Sequence, residues 1–286
     1  MNNHHRHILQ DRLFRYFGIA CTFSGLILLA IFILDILFDG LGRINLSFFT
    51  NLPSRNPEEA GIFTAIIGTL MIMIHTAVIA IPLGVSAGVY LEEYGGRKSR
   101  FARFLEVNIN NLAGVPSIIY GLLGLEVFVH GLHLGQSVLS ASLTLALLIL
   151  PIIIVTTREA IRAVPSTLRQ ASYGMGATRW QTIWHLILPA SSGGILTGII
   201  LALSRVIGES APLIAIGVMV YVPFAPTSPM DEFSALPVQI FNWISRPQKG
   251  FLINAAAAII VLLSISLAMN LIAVYFRNKW QKQFKP

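Results

Sequence analysis

Long apolar runs alternate with short polar, basic stretches along nearly the whole chain. The runs at 16–38, 65–90, 109–130, 137–157, 191–220 and 252–276 match the ~20 residues a helix needs to cross ~30 Å of hydrocarbon at ~1.5 Å per residue. They are apolar on all sides and do not alternate at every second residue, so the pattern predicts helices and argues against a β-barrel. The expected architecture is an all-α integral membrane protein with six spans in one domain, 16–276. Residues 1–15 and 277–286 are expected as tails. The 221–251 connection carries four prolines in VPFAPTSPMDEFSALPVQI and has room for a short surface helix but not for a separate fold.

Composition agrees with this reading. Hydrophobic residues make up 55% of the chain and charged residues 12%, against about a quarter charged in soluble domains; mean hydropathy is +0.71. The net charge of +7 would suit nucleic acid if it formed one patch, but the basic residues sit between apolar runs, where they face anionic lipid. The N-terminus, the 91–108 loop, the 158–190 loop and the C-terminal tail hold three, four, four and four Lys or Arg, while the other connections hold two, none and two. By the positive-inside rule both termini and both basic loops are cytoplasmic. The basic start MNNHHRHILQDRLFRYFG precedes a run too long for a signal-peptide core, so the first span is expected to be retained. Cys21 is the only cysteine, which excludes an internal disulfide and a cysteine metal cluster.

Several motifs have plain readings. Gly84-Val85-Ser86-Ala87-Gly88 matches a nucleophile elbow, but inside a span it reads better as a small-residue helix contact, repeated at Gly194 and Gly198. Gly95-Gly96-Arg97-Lys98-Ser99 lacks the spacing of a phosphate loop; if ATP drives this protein, another chain binds it. His4, His5 and His7 read as a solvated tail, and no metal or other cofactor is expected. His75 is expected to be neutral and bonded to a neighbouring helix. Asp35, Asp39 and Glu126 fall near the outer ends of spans.

The 158–190 loop is long enough for two short helices, and Ser166–Ala171 and Thr178–His185 have helical composition. Arg158, Arg162, Arg169 and Arg179 are interspersed with Leu168, Tyr173, Met175, Trp180, Ile183 and Trp184. The pattern fits a docking platform as well as an amphipathic segment at headgroup level.

From Gln170 to Pro189 this loop resembles the coupling motif of ATP-binding-cassette importer permeases: E-A-A, three residues, G, nine residues, I, one residue, L-P. Ala171, Gly176, Leu188 and Pro189 fit in register, and Ala177 follows the glycine. Gln170 stands for the Glu, Ser172 for the second Ala and Leu186 for the Ile. Three further segments, IHTAVIAIPLGVSAGVYLEEYG, NLAGVPSIIYGLLGL and LSRVIGESAPLI, are similar to phosphate importer permeases of the PstA type. The resemblance covers about 65–276. It implies a type I importer bundle with cytoplasmic coupling helices in the plasma (inner) membrane, paired with a PstC-like permease, a PstB-like ATPase dimer and a PstS-like periplasmic phosphate-binding protein.

Arg205 and Glu209 stand in the fifth run, where a charge near the centre of a span costs about 2.5–3.5 kcal/mol on insertion scales and so belongs on a bundle interior or a water-filled path. Four residues apart, they are expected on one helical face with Ser204 and Gly208 beside them. One reading is a structural ion pair. The other is an anion waypoint, because the guanidinium fork matches phosphate oxygens and a carboxylate accepts from a protonated phosphate oxygen. The resemblance implies that Arg205 takes the place of the intramembrane arginine associated with phosphate passage. Gly114, Pro116, Ser117 and Tyr120, at the entry to the third span, are candidates for a gate or hinge, with Pro116 in the first turn of a helix. Two rivals remain at this stage. One is another oxyanion (phosphonate, sulfate or molybdate), and the other is an ion-coupled transporter using Glu209, His75, Asp35 and Glu126 as a proton relay.

Overall fold

The computed structural model describes residues 2–95, 100–219 and 221–283. The Gly96–Ser99 stretch and the side chains of His4, His5 and His7 lie outside the described part. In chain order the helices are α1 (Asn2–Gly40), α2 (Leu46–Thr50), α3 (Phe63–Val89), α4 (Arg100–Leu112), α5 (Ser117–Gly124), α6 (Val138–Arg162), α7 (Ser166–Gly174), α8 (Arg179–Thr182), α9 (Leu188–Val206), α10 (Ala211–Ile216), α11 (Leu236–Ile244) and α12 (Lys249–Gln283). Five-residue π turns prolong α3 to Tyr94 and join α8 to α9, and a seven-residue one prolongs α5 to Gly131. Among the described residues, five helices are long and apolar enough to cross a membrane. A sixth crossing arises if the bent pair 102–112 and 117–131 is one span. Helix α1 starts at Asn2 and α12 runs to Gln283, so most of both expected tails is helix. Residues 2–15 and 277–283 contain no Gly or Pro that would stop one.

Helix α6 forms the centre. Gly84 and Gly88 of α3 lie against Ile153 and Thr157 on one side of it, where an added Cβ would come within 2.6 and 2.7 Å of those side chains. On another side Gly194 and Gly198 of α9 meet Ala160 and Thr156, where an added Cβ would come within 2.6 Å of the first and closer still to the second. Both small-residue pairs therefore do what their spacing predicts: they let two helices approach a third closely, which is how spans associate where lipid is as apolar as the side chains. Ile72, Leu145, Ile149, Ile153, Val206 and Leu213 form the main buried cluster around this contact.

A second core lies where α2, α11 and α12 meet. Phe48, Trp243 and Phe251 are fully buried there, with ring centroids 6.2 Å apart in each successive pair. The segment expected to carry a surface helix thus carries a buried one: Leu236, Val238 and Trp243 of α11 are core residues. Thr69 fixes its start, donating to Ala65 O at 2.7 Å while accepting from Leu236 N at 2.9 Å. Upstream, the Asp231 carboxylate accepts from Thr227 N, Ser228 N and the Thr227 hydroxyl at 2.8–3.0 Å. The turn so formed offers Asp231 O and Pro229 O to the Val138 and Leu139 amides at the start of α6.

Candidate functional site

Two helix breaks converge beside α6. After Leu112 the chain bends by 107° before α5 begins at Ser117. The predicted third span, 109–130, is therefore interrupted, and Pro116 caps α5 from just outside instead of occupying its first turn. Its fixed φ suits that place, and the extended backbone favoured before a proline keeps the preceding helix from running through. Tyr120 is 7% exposed and donates from its hydroxyl to Leu112 O at 2.8 Å, closing the bend. Gly114 sits in the turn with its amide on Asn111 O at 3.1 Å. No close neighbour there requires a glycine: an added Cβ would meet only Asn111 O at 3.5 Å.

The second break lies in the predicted fifth span, 191–220. Helix α9 ends at Val206 and α10 begins at Ala211, so Arg205 sits in the last turn of a helix, not near the middle of a continuous one. Glu209 lies in the connection. A turn, with Glu209 N on Val206 O at 3.0 Å, brings the carboxylate back so that Glu209 Oε1 stands 3.5 Å from Arg205 Nε. The expected pairing is present, but a helix end produces it instead of a shared helical face. At a C-terminus the unpaired carbonyls favour a cation, which gives the Arg205 charge a second source of support.

The two breaks touch. An added Cβ on Gly121 of α5 would lie 2.7 Å from Pro212 Cα and 2.6 Å from Ala215 Cβ of α10, so only a glycine allows this contact. Tyr120 belongs to the same buried cluster as Val206, Ile207 and Leu213, the residues around the second break. The structure therefore brings the candidate gate of α5 beside the break that carries Glu209, two regions far apart in sequence. Glu209, 18% exposed, faces a small cavity lined by Thr69, Ile72, Met73 and Leu213, while the Arg205 side chain is 45% exposed. The Ser204 side chain reaches α12. Its hydroxyl bonds Ile200 O and Asn270 Oδ1 of α12, and seven residues away on each helix Arg277 bonds Thr197 at 3.2 Å. Asn270 was missed; a lone amide inside an apolar run of α12 was the available signal. Ser117 begins α5.

At the basic end, α7 and α8 occupy the two stretches expected to be helical. The Ser172 hydroxyl meets Thr182 Oγ1 at 2.9 Å, joining them. Gly176 has φ +85°, a conformation other residues rarely adopt, which gives the motif's glycine a backbone reason. Gln170, Ala171 and Gly176 are exposed, Ala177, Leu186, Leu188 and Pro189 half-buried, and Pro189 stands in the first turn of α9. The arginines do not form a free ring. Glu92 pairs with Arg162 at 2.9 Å and Arg158 at 3.5 Å, Glu106 with Arg158 at 3.0 Å, and Glu93 with Arg169 at 3.1 Å. The Arg179 guanidinium lies 5.3 Å from the centre of the Tyr94 ring. Among the outward side chains is an apolar group, Met175 and a stacked Trp180–Trp184 pair, each more than half exposed.

The remaining candidates are dispersed. His75 Nδ1 meets Met71 O of its own helix at 2.7 Å, not a neighbouring helix. A carbonyl one turn back was within closer reach. Glu126 is exposed beside His130, and Asp35 and Asp39 are exposed on α1, so these groups and Glu209 do not form a continuous relay.

Interrupted spans around a small-residue core, with a charged pair at one interruption, define a membrane-spanning permease. The family described as binding-protein-dependent transport system inner membrane component matches residues 80–282. The fold is that of solved importers: a bacterial alginate ABC transporter chain gives a TM-score of 0.68 at 16% identity over 94% of each chain. The MetNI methionine transporter gives 0.60 at 18%, over 77% of this chain and 94% of that one. Within the class, the chain belongs to the PstA family of phosphate transport system permease proteins. It is 36% identical to PstA 1 of Mycobacterium tuberculosis over 77% of this chain and 72% of that protein. It is 33% identical to PstA of Yersinia pestis over 94% and 91%. A probable ABC transporter permease of Bacillus subtilis, YqgI, is 31% identical over 86% and 88%.

Proposed function

We propose that this chain forms one half of a path for inorganic phosphate, completed by a PstC-like permease, fed by a PstS-like periplasmic protein and driven by a PstB-like ATPase dimer. The ATPase is a separate subunit in this class of importer. Both termini and the 91–108 and 158–190 loops face the cytoplasm, a topology supported by the distribution of Lys and Arg. Residues 166–189 dock on the ATPases through the outward apolar group Met175, Trp180 and Trp184, and closure of the ATPases tilts the spans.

The observation that carries the substrate assignment is the Arg205–Glu209 pair at a helix break. An Arg205 side chain 45% exposed in this chain fits a site that a second permease completes. Its guanidinium contacts phosphate oxygens, and Glu209 holds it between passages and accepts from a protonated phosphate oxygen, which sulfate at neutral pH lacks. One arginine partly neutralised by a carboxylate suits transient contact, since conduction requires that the anion also leave. Tyr120 and the bend behind it form the adjoining gate. The test is ATP-dependent uptake of labelled phosphate by the reconstituted four-component complex, with sulfate, molybdate and phosphonate as competitors. Uptake that needs ATP and resists these anions supports the reading. Uptake that persists without ATP, or is displaced by another oxyanion, overturns it.

A further inference from the structure

The end of α3 carries two consecutive carboxylates whose partners lie 66 to 76 residues further along the chain. Glu92 reaches Arg158 and Arg162, both on α6, and so ties α3 to α6. Glu93 reaches Arg169 of α7 and so ties α3 to the loop. The ties differ in environment. The Arg162 side chain is 61% exposed, whereas the Glu93–Arg169 pair, at 8% and 20%, is as sheltered as Glu92–Arg158 at 18% and 11%, so water and salt screen the Glu93 contact less than that of Arg162.

Arg169 also does more than pair. Its Nε and Nη2 both reach Glu93 Oε1, at 3.2 and 3.1 Å. Nη2 further donates to Ile161 O at 2.8 Å, and Nη1 to Val164 O at 2.8 Å. These carbonyls lie at the end of α6, where a helix leaves acceptors without partners. One guanidinium therefore joins α3, α6 and α7, and lysine, with a single nitrogen, cannot reproduce that fork.

From Glu93 the apolar helix runs unbroken back to Phe63. About 30 Å along it, at ~1.5 Å per residue, Met73 and its neighbours Thr69 and Ile72 line the cavity that Glu209 faces. A displacement of α7 that is passed to Glu93 is thus delivered to the wall of the charged pair.

We propose that Glu93 and Arg169 are positioning residues that transmit movement of the 158–190 loop to α3 and hence to the Arg205–Glu209 site. This rests on the reading that the loop docks on the ATPase. The pair touches neither substrate nor nucleotide. Glu93 lies outside the docking segment, so its loss is expected to leave assembly and ATP hydrolysis in place while fewer phosphate ions cross per ATP.

The test uses the complete reconstituted complex with wild-type chain, Glu93→Gln, Glu93→Asp, Arg169→Gln and the Glu93→Gln/Arg169→Gln double variant. Co-purified ATPase, ATP hydrolysis and phosphate uptake are measured on each. Glu93→Gln is expected to keep the ATPase bound and to lower phosphate moved per ATP about tenfold, a size typical of coupling between sites. Glu93→Asp is expected to restore part of the ratio, and the double variant to be no worse than Arg169→Gln alone. A ratio unchanged in Glu93→Gln overturns the proposal. So does a loss of uptake that follows loss of bound ATPase in proportion, since that marks a purely structural tie. If wild-type chain itself binds no ATPase and shows no ATP-driven uptake, the docking reading falls and the proposal falls with it.

Discussion

The Tyr120 hydroxyl donates to the Leu112 carbonyl at 2.8 Å, so one hydrogen bond spans the 107° bend that divides the third span. Tyr120→Phe removes the donor and leaves the carbonyl without it, at a cost of about 0.5–1.5 kcal/mol. The variant is expected to assemble and to melt a few degrees lower in detergent. An unchanged melting temperature would mean that packing alone holds the bend.

Thr69 makes a similar test of the second core. Thr69→Val keeps the shape but removes the acceptor for the buried Leu236 amide, which costs about 1–3 kcal/mol because nothing replaces it. Limited proteolysis is expected to cut first near the start of α11. A wild-type digestion pattern would contradict the role given to the hydroxyl.

The small-residue contacts predict a contrast between two glycines. Gly198→Val drives a side chain into Thr156 of the central helix, and overpacking of this kind costs about 1–3 kcal/mol. Gly18 has nothing within 4 Å of an added Cβ, so Gly18→Val is expected to change stability by no more than about 0.5 kcal/mol. Thermal melting of the two purified variants decides between this pattern and a uniform intolerance of bulk.

Asp231 gives a pH dependence. Hydrogen bonds from Thr227 N, then Ser228 N, then the Thr227 hydroxyl hold its carboxyl below the ordinary value. A carboxyl with a depressed folded value contributes stability that is fully present above the unfolded value, about 3.9, and lost as pH falls through the lower folded value. The difference in melting temperature between wild type and Asp231→Ala is therefore expected to be constant from neutral pH to about 5 and to shrink below about 4. A difference that grows with acid would reverse the assignment.

The apolar runs revealed the spans because bilayer thickness sets a length that can be read directly from sequence. G-x-x-x-G spacing likewise revealed which faces approach α6. The breaks at 113–116 and 207–210 were harder, since a Gly or Pro in an apolar run fits a kinked span as well as a divided one, and only the packing of Gly121 on Pro212 distinguishes them. The arginines of 158–190 looked free because their carboxylates, Glu92, Glu93 and Glu106, lie 52 to 76 residues earlier in the chain. Helix α11 looked like a surface element because Pro-rich flanks suggest exposure, while its burial depends on Phe48 arriving from α2, far earlier in the chain, and on Phe251 of the helix that follows.

The central claim is that Arg205 contacts phosphate on its way through. The measurement that tests it most directly is ATP-dependent phosphate uptake by reconstituted complexes carrying Arg205, Arg205→Lys or Arg205→Gln, with assembly and ATPase binding checked in each. The account predicts that both variants assemble and that uptake falls at least about tenfold, the equivalent of ~1.4 kcal/mol in the barrier. The Lys variant should fail because a point charge does not replace the fork. Wild-type uptake in the Gln variant, or a loss explained wholly by failed assembly, would make the Arg205–Glu209 pair architectural and contradict the account.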